Sequence, residues 1–470
     1  MRPAESGYRV ERDSMGPVRV PKEAYYGAQT QRAIENFSIS GLRFQPDLIH
    51  ALGLVKYAAA RVNLSLHLIN AKISGVIQRG SVEVMKGTWD DQFVLDVFQT
   101  GSGTSTNMNA NEVIANRANE LLGVTRGTYK PIHPNDHVNL GQSSNDLFPT
   151  SIHIAAVTLI RRELIPALQD LLKDLTQKAK AFHSILKIGR THLQDATPIR
   201  LGQEFGGYAR QVELSIRRIE HALDSLSELP LGGTAVGTGI NTHPRFARKA
   251  IAIINERTGH RFREAANHFE AQGARDALVE VSAALKTLAV SMIKIANDIR
   301  WMGSGPRCGI GEIHLPDTQP GSSIMPGKVN PVIAESLVQV CVQVIGNDGA
   351  IGLGGLSGNF ELNVMMPVMA YNVLQSITLL GHGIANFSKR CLQGLEADRE
   401  RCQEMIEKSL ALVTALTPKI GYDRAARLAK KAYDQRKTIR QVVKEENILS
   451  EEELSRILDP RSMISPGLKK

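Results

Sequence analysis

Cysteine, aromatic side chains and long apolar runs are all scarce in this 470-residue chain, and each scarcity excludes something. The four cysteines, Cys308, Cys341, Cys391 and Cys402, stand far apart, with no Cys-x-x-Cys pair and no histidine ladder. Neither a disulfide framework nor a zinc site is expected, and a reducing compartment fits. With 5% aromatics, the core has to be built from Leu, Ile, Val and Ala. No uninterrupted apolar span approaches the roughly 20 residues of a membrane helix, so no membrane is expected. The opening MRPAESGYRVERD lacks the apolar core of a secretory leader, and its glutamates are foreign to a transit peptide. Also missing are a Gly-x-x-x-x-Gly-Lys-Ser loop, a dinucleotide fingerprint and a carboxylate cluster, so neither nucleotide cofactor nor metal is expected.

What is present describes a globular protein: 42% hydrophobic and 22% charged residues, with a formal charge of +9. The excess of base would suit nucleic acid, yet it is interleaved with acid, as in Arg161-Arg162-Glu163, and no nucleic-acid partner is expected. A basic balance also attracts acidic metabolites.

Helical periodicity dominates. Gly7 to Tyr26 reads as loop or a short strand pair, and Pro46 to Ser74 as one helix stopped by Gly75. After the polar run Thr100–Asn107, Asn109 or Asn111 is the expected start of a helix that Gly123 ends. Long apolar stripes then run over Ser151–Ser184, with a kink at Pro166, and over Leu201–Leu229, Ala274–Met302, Pro331–Leu353 and Leu362–Leu392. Their spacing predicts a bundle of long helices whose apolar faces are too wide for one seam, and hence an oligomer. From about residue 396 the helices become shorter and more charged, with Ser450 and Glu453 spaced as a capping box. The expected division is 1–142, mixed and mostly helical; 143–395, the long-helix bundle; and 396–470, a small helical domain.

Four polar segments interrupt this pattern. In GSSIMPGKVNP, residues 321–331, the glycines and prolines forbid helix, two hydroxyls, an ammonium and a carboxamide stand together, and an apolar helix comes directly after. Such a segment is either a plain turn or, with the positive end of the helix dipole behind it, a carboxylate-binding loop. TGSGTSTN (100–107) is equally a surface linker or an anion nest. HPNDHVN (133–139) with GQSSND (141–146), and GRTHLQDATP (189–198), supply more donors. His192, lying in a loop between two long helices, has Asp195 near enough to orient an imidazole. Together the four imply a site, without metal or cofactor, for a small polycarboxylate, with proton transfer as its chemistry.

These segments identify the chain as similar to the fumarase/aspartase superfamily, on GSSIMPGKVNP and on ERDSMG, YYGAQTQRAIENF, TGSGTSTNMNANEV, HPNDHVN, GQSSNDLFPT, GRTHLQDATP, GGTAVGTGINTHP, SGPRCGIGEIHLP and GNFELNV. Within it the resemblance is strongest to the class II, iron-independent fumarases, with aspartate ammonia-lyase as the alternative and a catalytically inert relative as a third reading. The resemblance implies a mainly α, three-domain fold whose central helices form the core of a cytoplasmic homotetramer, each site being shared by three subunits. It implies that Ser322 takes a carbon-bound proton, that His192 serves the hydroxyl side, and that Glu335 orients His192 or a water. Ser102, Thr104, Ser143, Ser144, Asn145, Thr191, Ser323, Lys328 and Asn330 would hold a C4 dicarboxylate. A second dicarboxylate site would use Lys130, His133, Asn135 and Asp136, with Lys130 where relatives commonly have Arg.

Overall fold

Long stretches of this chain repeat apolar residues at alternating steps of three and four, and the computed structural model, which describes residues 7–467, turns those stretches into its longest helices. Met1–Ser6, the first part of the N-terminal stretch that lacks leader character, lie outside the described residues. The first elements are an antiparallel pair, β1 (Tyr8–Asp13) and β2 (Gly16–Pro21), so the strand-pair alternative for this region holds. Helices α1 (Ala28–Asn36), α2 (Pro46–Ser65) and α3 (Ala71–Met85) come next.

The single helix expected over Pro46–Ser74 is therefore two. The break is not at Gly75, which lies inside α3, but at His67, with φ 61°, and at Asn70, whose side chain caps α3 by accepting from Ile73 N–H. A capping side chain outweighs a glycine that a helix interior can tolerate at about 1 kcal/mol.

Beyond these lie α4 (Thr104–Leu121), α5 (Ser144–Leu159) and α6 (Ile165–Ala181), the last two joined through a π turn, Ile160–Leu164, just ahead of Pro166. Strands β3 (Leu186–Thr191) and β4 (Gln194–Arg200) form a hairpin before α7 (Leu201–Leu226). Helices α8 (Phe246–Thr258), α9 (His268–Gly273), α10 (Asp276–Met302), α11 (Val332–Gly355) and α12 (Met366–Phe387) complete the long-helix region. After it stand α13 (Arg399–Lys408), α14 (Thr417–Ile420), α15 (Tyr422–Asp434), α16 (Ile439–Glu445) and α17 (Glu451–Ile457).

Along α10 the residues Leu278, Val281, Leu285, Leu288, Met292, Ile295 and Ile299 are all fully buried, a three-four repeat. In α12 Met366, Ala370, Val373, Ile377, Leu380, Ile384 and Phe387 do the same. A repeat averaging 3.5 residues keeps one seam facing neighbouring helices, so the sequence period itself specifies bundle packing. Other apolar side chains of the long helices stay exposed: Val290 of α10 at 55%, and Val342 and Leu353 of α11 at 58% and 67%.

Helix α11 is long and apolar enough, by length and composition, to cross a membrane, although Glu335, Gln339, Gln343, Asn347 and Asp348 interrupt its apolar run. Its polar residues are engaged within the fold, which accounts for its apolar remainder differently. Asp348 accepts from Lys286 at 2.6 Å and Ser282 at 2.8 Å, and Asn347 donates to Ser376 at 3.0 Å.

The chain divides into two compact units, each built from three separate segments. One comprises Met1–Pro166, Arg217–Ala289 and Val342–Gly381; the other comprises Ala167–Ile216, Val290–Cys341 and His382–Lys470. In the first, α1 is held by a carboxylate remote in sequence. Glu112 of α4, 1% exposed, accepts from Gly27 N–H at 2.8 Å, Gln29 N–H at 2.8 Å and the Thr30 hydroxyl at 2.6 Å. It thus supplies the N-terminal partners that α1 lacks locally. Burial pushes its carboxyl up to about 7 despite these donors. In the second, Ile406, Leu416, Leu428, Ile439, Val442 and Leu454 make a small core of their own for the C-terminal helices.

Candidate functional site

Two helix N-termini carry the polar residues of the first unit. Helix α4 begins at Thr104, five residues ahead of Asn109, the start expected from its capping residue type, because Gly103 at the N-cap takes φ 73° and turns the chain. A Cβ there would lie 2.3 Å from the ring of Phe148, so this position admits only glycine without rearrangement. The hydroxyls of Ser102 and Thr104 lie 2.8 Å apart at this end, Ser102 being buried. Both therefore stand at a helix start, where the sequence left linker and anion nest equally open and put the helix later.

Helix α5 starts with a full capping box: the Ser143 side chain receives a backbone N–H of the first turn, and Asp146 accepts from Ser143 N–H at 2.9 Å. The other Asp146 oxygen accepts from Gly232 N–H at 2.9 Å and Thr234 N–H at 3.0 Å, which fastens the glycine-rich 231–240 loop beside the helix start. Asp146 is fully buried, and desolvation raises its pKa against the lowering effect of these donors. Asn145 donates one N–H to Ala235 O at 2.8 Å.

Below lies a fully buried ammonium that the residue pattern alone did not single out. Lys56 of α2 donates to Asn139 Oδ1 at 2.9 Å and Gln142 Oε1 at 3.0 Å, and burial holds its pKa well below the ordinary lysine value. Its one sequence signal is phase: it lies four residues after Leu52 and three before Ala59, on the buried stripe. Asn107 donates to Ser144 Oγ at 2.9 Å. A hydroxyl oxygen that accepts from Asn107 keeps its own proton to donate to a ligand. Ser144 thereby becomes a directed donor at a helix N-terminus, where anions are favoured.

In the same unit His133 caps a π turn, Pro134–Val138, its Nδ1 accepting from Asn135 N–H at 3.2 Å and Asp136 N–H at 3.3 Å. An accepting Nδ1 leaves the proton on Nε2, so His133 presents a donor outward. Lys130, Asn135 and Asp136 are exposed.

The second unit carries His192, between the long helices α6 and α7 as expected, though in a hairpin turn and not a plain loop. His192 and Leu193 are the two-residue turn of the β3–β4 hairpin, with φ 55° and 58°, flanked by the Thr191–Gln194 pair. Two consecutive left-handed residues are what a right-twisted hairpin asks of a two-residue turn, and neither is the usual Asn or Gly. The sequence hides the turn for that reason. Thr191, His192 and Leu193 are exposed, and Asp195 pairs across the hairpin with Arg190.

The segment 321–331 folds on itself, its ends tied by Gly321 N–H to Lys328 O at 2.7 Å and Asn330 Nδ2 to Gly321 O at 2.6 Å. Inside, Ser322 Oγ accepts from Ile324 N–H at 3.3 Å and Met325 N–H at 3.0 Å. Ser323 and Lys328 are exposed on it, and α11 starts directly after it at Val332, as predicted. Glu335 lies in the first turn of α11, and its charged neighbour is Arg300 at 3.9 Å. Among the described residues no group of three or more His, Cys, Asp or Glu is placed to hold a metal ion.

The polar residues thus fall into two sets: Ser102, Thr104, Ser143, Ser144, Asn145 and the Lys130–Asp136 segment in one unit, and Thr191, His192, Ser322, Ser323, Lys328, Asn330 and Glu335 in the other. Both sets are rich in N–H and O–H donors, poor in groups for phosphate or metal, and suited to a carboxylate.

Known proteins match this chain over nearly its whole length. A family described as Lyase matches residues 16–346, and one described as Fumarase C C-terminus matches residues 412–465. The chain is 55% identical over 458 residues, 97% of its own length and 99% of the relative's, to a class II fumarate hydratase of Neisseria meningitidis. It is 55% identical over 461 residues, 98% of each chain, to a class II fumarate hydratase of Halobacterium salinarum. The fold matches a crystal structure of class II fumarase from Schistosoma mansoni with TM-score 0.95 and 40% identity, over 98% of this chain and 100% of that one. A fumarate lyase:delta crystallin of Brucella melitensis, bound to cobalt, gives TM-score 0.92 and 45% identity over the same shares.

Proposed function

This chain belongs to the class II fumarate hydratases of the lyase family, and on that premise we propose how its residues carry out the reversible hydration of fumarate to L-malate. In the dehydrating direction a proton leaves the carbon beside one carboxylate, that carboxylate gains charge as an aci-carboxylate, and hydroxide leaves the neighbouring carbon as water. The enzyme has to supply a base, donors for the growing charge, and a proton for the departing hydroxyl.

Ser322 is the base. Two backbone N–H groups aimed at its Oγ favour negative charge there, and Lys328 stands on the same closed loop. That pair of N–H donors is the observation on which the reading rests. Lys328 and Asn330 stabilise the aci-carboxylate, Asn330 with the N–H it has not given to Gly321. His192 handles the proton on the hydroxyl side, and Glu335 orients it or a water. Ser102, Thr104, Ser143, Ser144, Asn145, Thr191 and Ser323 grip the carboxylates. Lys130, His133, Asn135 and Asp136 form a second, separate dicarboxylate site.

The working molecule is a cytoplasmic homotetramer in which each site draws on three copies of the chain. The exposed apolar side chains Val290, Val342 and Leu353 support an assembly through the long helices. The division into 1–142, 143–395 and 396–470 belongs to the same reading.

The test is a spectrophotometric assay of fumarate release from L-malate, run in parallel with L-aspartate. Turnover of malate alone is expected. Release from aspartate with malate inert would assign the alternative, an ammonia-lyase, and a well-formed tetramer inert to both would assign the inert relative.

A further inference from the structure

Lys187 and Arg190 stand three residues apart on β3, a spacing that in a regular strand sends side chains to opposite faces. The strand is not regular. Its register with β4 shifts between Ile188 and Arg190, where Gly189 alone faces Ala196 and Thr197 of β4, and a Cβ on Gly189 would lie 2.7 Å from Thr197 O. The extra residue belongs to β4, and a bulge of this kind bends the hairpin and increases its twist at that point.

Both cations nevertheless meet one carboxylate. Glu312, fully buried, lies 3.1 Å from Lys187 Nζ and accepts from Arg190 Nη1 at 2.9 Å. Lys187, 1% exposed, also donates to Glu204 at 2.9 Å. Two cations and two carboxylates are matched around the buried Lys187 and Glu312, with Arg190 and Glu204 half-buried at the edge, and the loss of one partner strands the buried charges.

The main chain at Glu312 is fixed as well. Its N–H donates to Met302 O at 2.8 Å, and its carbonyl accepts from Asp398 N–H at 2.9 Å and the Cys402 thiol at 3.7 Å. Asp398 caps α13, and Arg401 on that helix donates to Ile310 O at 2.9 Å and Gly309 O at 3.0 Å. The foot of the hairpin is therefore clamped from the C-terminal segment through one acid, while its tip, two residues past Arg190, is His192.

We propose that Glu312 is the positioning residue for His192: by holding Lys187 and Arg190 across the bulge it fixes the direction of the hairpin, and hence where the imidazole meets the substrate. This rests on the reading of His192 as the group on the hydroxyl side. Glu312 touches no reacting atom; it acts through geometry, where a displacement of about 1 Å can cost on the order of 100-fold in rate.

The experiment uses the full-length enzyme with malate, in the variants Glu312→Gln, Arg190→Lys and His192→Asn and in each of the first two combined with His192→Asn. Glu312→Gln should lower kcat about 30-fold and Arg190→Lys about fivefold, with KM changed less than about threefold. In the His192→Asn background neither should cause further loss. Losses that multiply undiminished in that background, or a raised KM with kcat intact, overturn the positioning role while leaving His192 in place. Full activity in His192→Asn removes the reading of His192 and this proposal with it. Circular dichroism checks folding, and if Glu312→Gln does not fold, Arg190→Lys, which keeps a cation facing Glu312, decides by the same outcomes.

Discussion

Ser322 is surrounded by donors that its own loop supplies, so its role can be separated from its surroundings. Replacing it with Ala removes the oxygen but leaves the Gly321–Lys328 tie, so kcat should fall about 1000-fold with the urea midpoint of unfolding unchanged. Retention of most of kcat would remove serine from the chemistry. Lys328→Met should lower kcat about 100-fold, since it takes away charge at the developing carboxylate rather than ground-state grip. Residues of this kind were legible because they stand in polar breaks of an otherwise apolar pattern. Lys56 was not, since a single lysine between Val55 and Tyr57 differs little from a solvated position until the helix phase is known.

Glu112 joins two elements, and its carboxyl gives α1 a pH dependence. Its pKa is raised in the folded protein, to about 7 from an ordinary 4.5. The protonated form is therefore favoured by folding: its stabilising contribution is complete below the unfolded value and is lost as pH climbs through 7. The swing is about 3 kcal/mol at most. Unfolding free energies of the parent should decline between about pH 4.5 and 7, while Glu112→Gln should flatten that decline. An unchanged slope in the variant would assign it to other groups. At the start of α4, Gly103→Ala should cost about 3 kcal/mol, from the left-handed φ and the collision with Phe148, read as a lowered urea midpoint. Element type was readable wherever a three-four or capping pattern was long, as in α10 and α17. It failed where tertiary context overrode it: Gly75 inside α3, and a His-Leu turn that no turn propensity announces.

For the molecule as a whole, the proposed sharing of each site makes a test that no single chain can pass. His192→Asn and Ser322→Ala should each be nearly inactive, yet mixed after dissociation and reassociated they should regain activity, because some sites draw intact residues from different copies. Reassembly to a tetramer without regained activity would confine each site to one chain. Leu353→Asp on α11 should lower the sedimentation coefficient and abolish turnover together. The helical class was inferable from the long apolar stripes. The interleaving of three segments into each unit was not, since nothing local in α6, α7, α10, α11 or α12 marks where a helix passes from one to the other.

Lys56 and Lys187 are sealed in the interior, whereas Lys328 stands open on its loop. An amine-reactive label should accordingly modify Lys328 and spare the other two, and mass spectrometry of the digested product would read that difference. Fumarate bound beforehand should shield Lys328, turning a contrast in accessibility into a footprint of the occupied site.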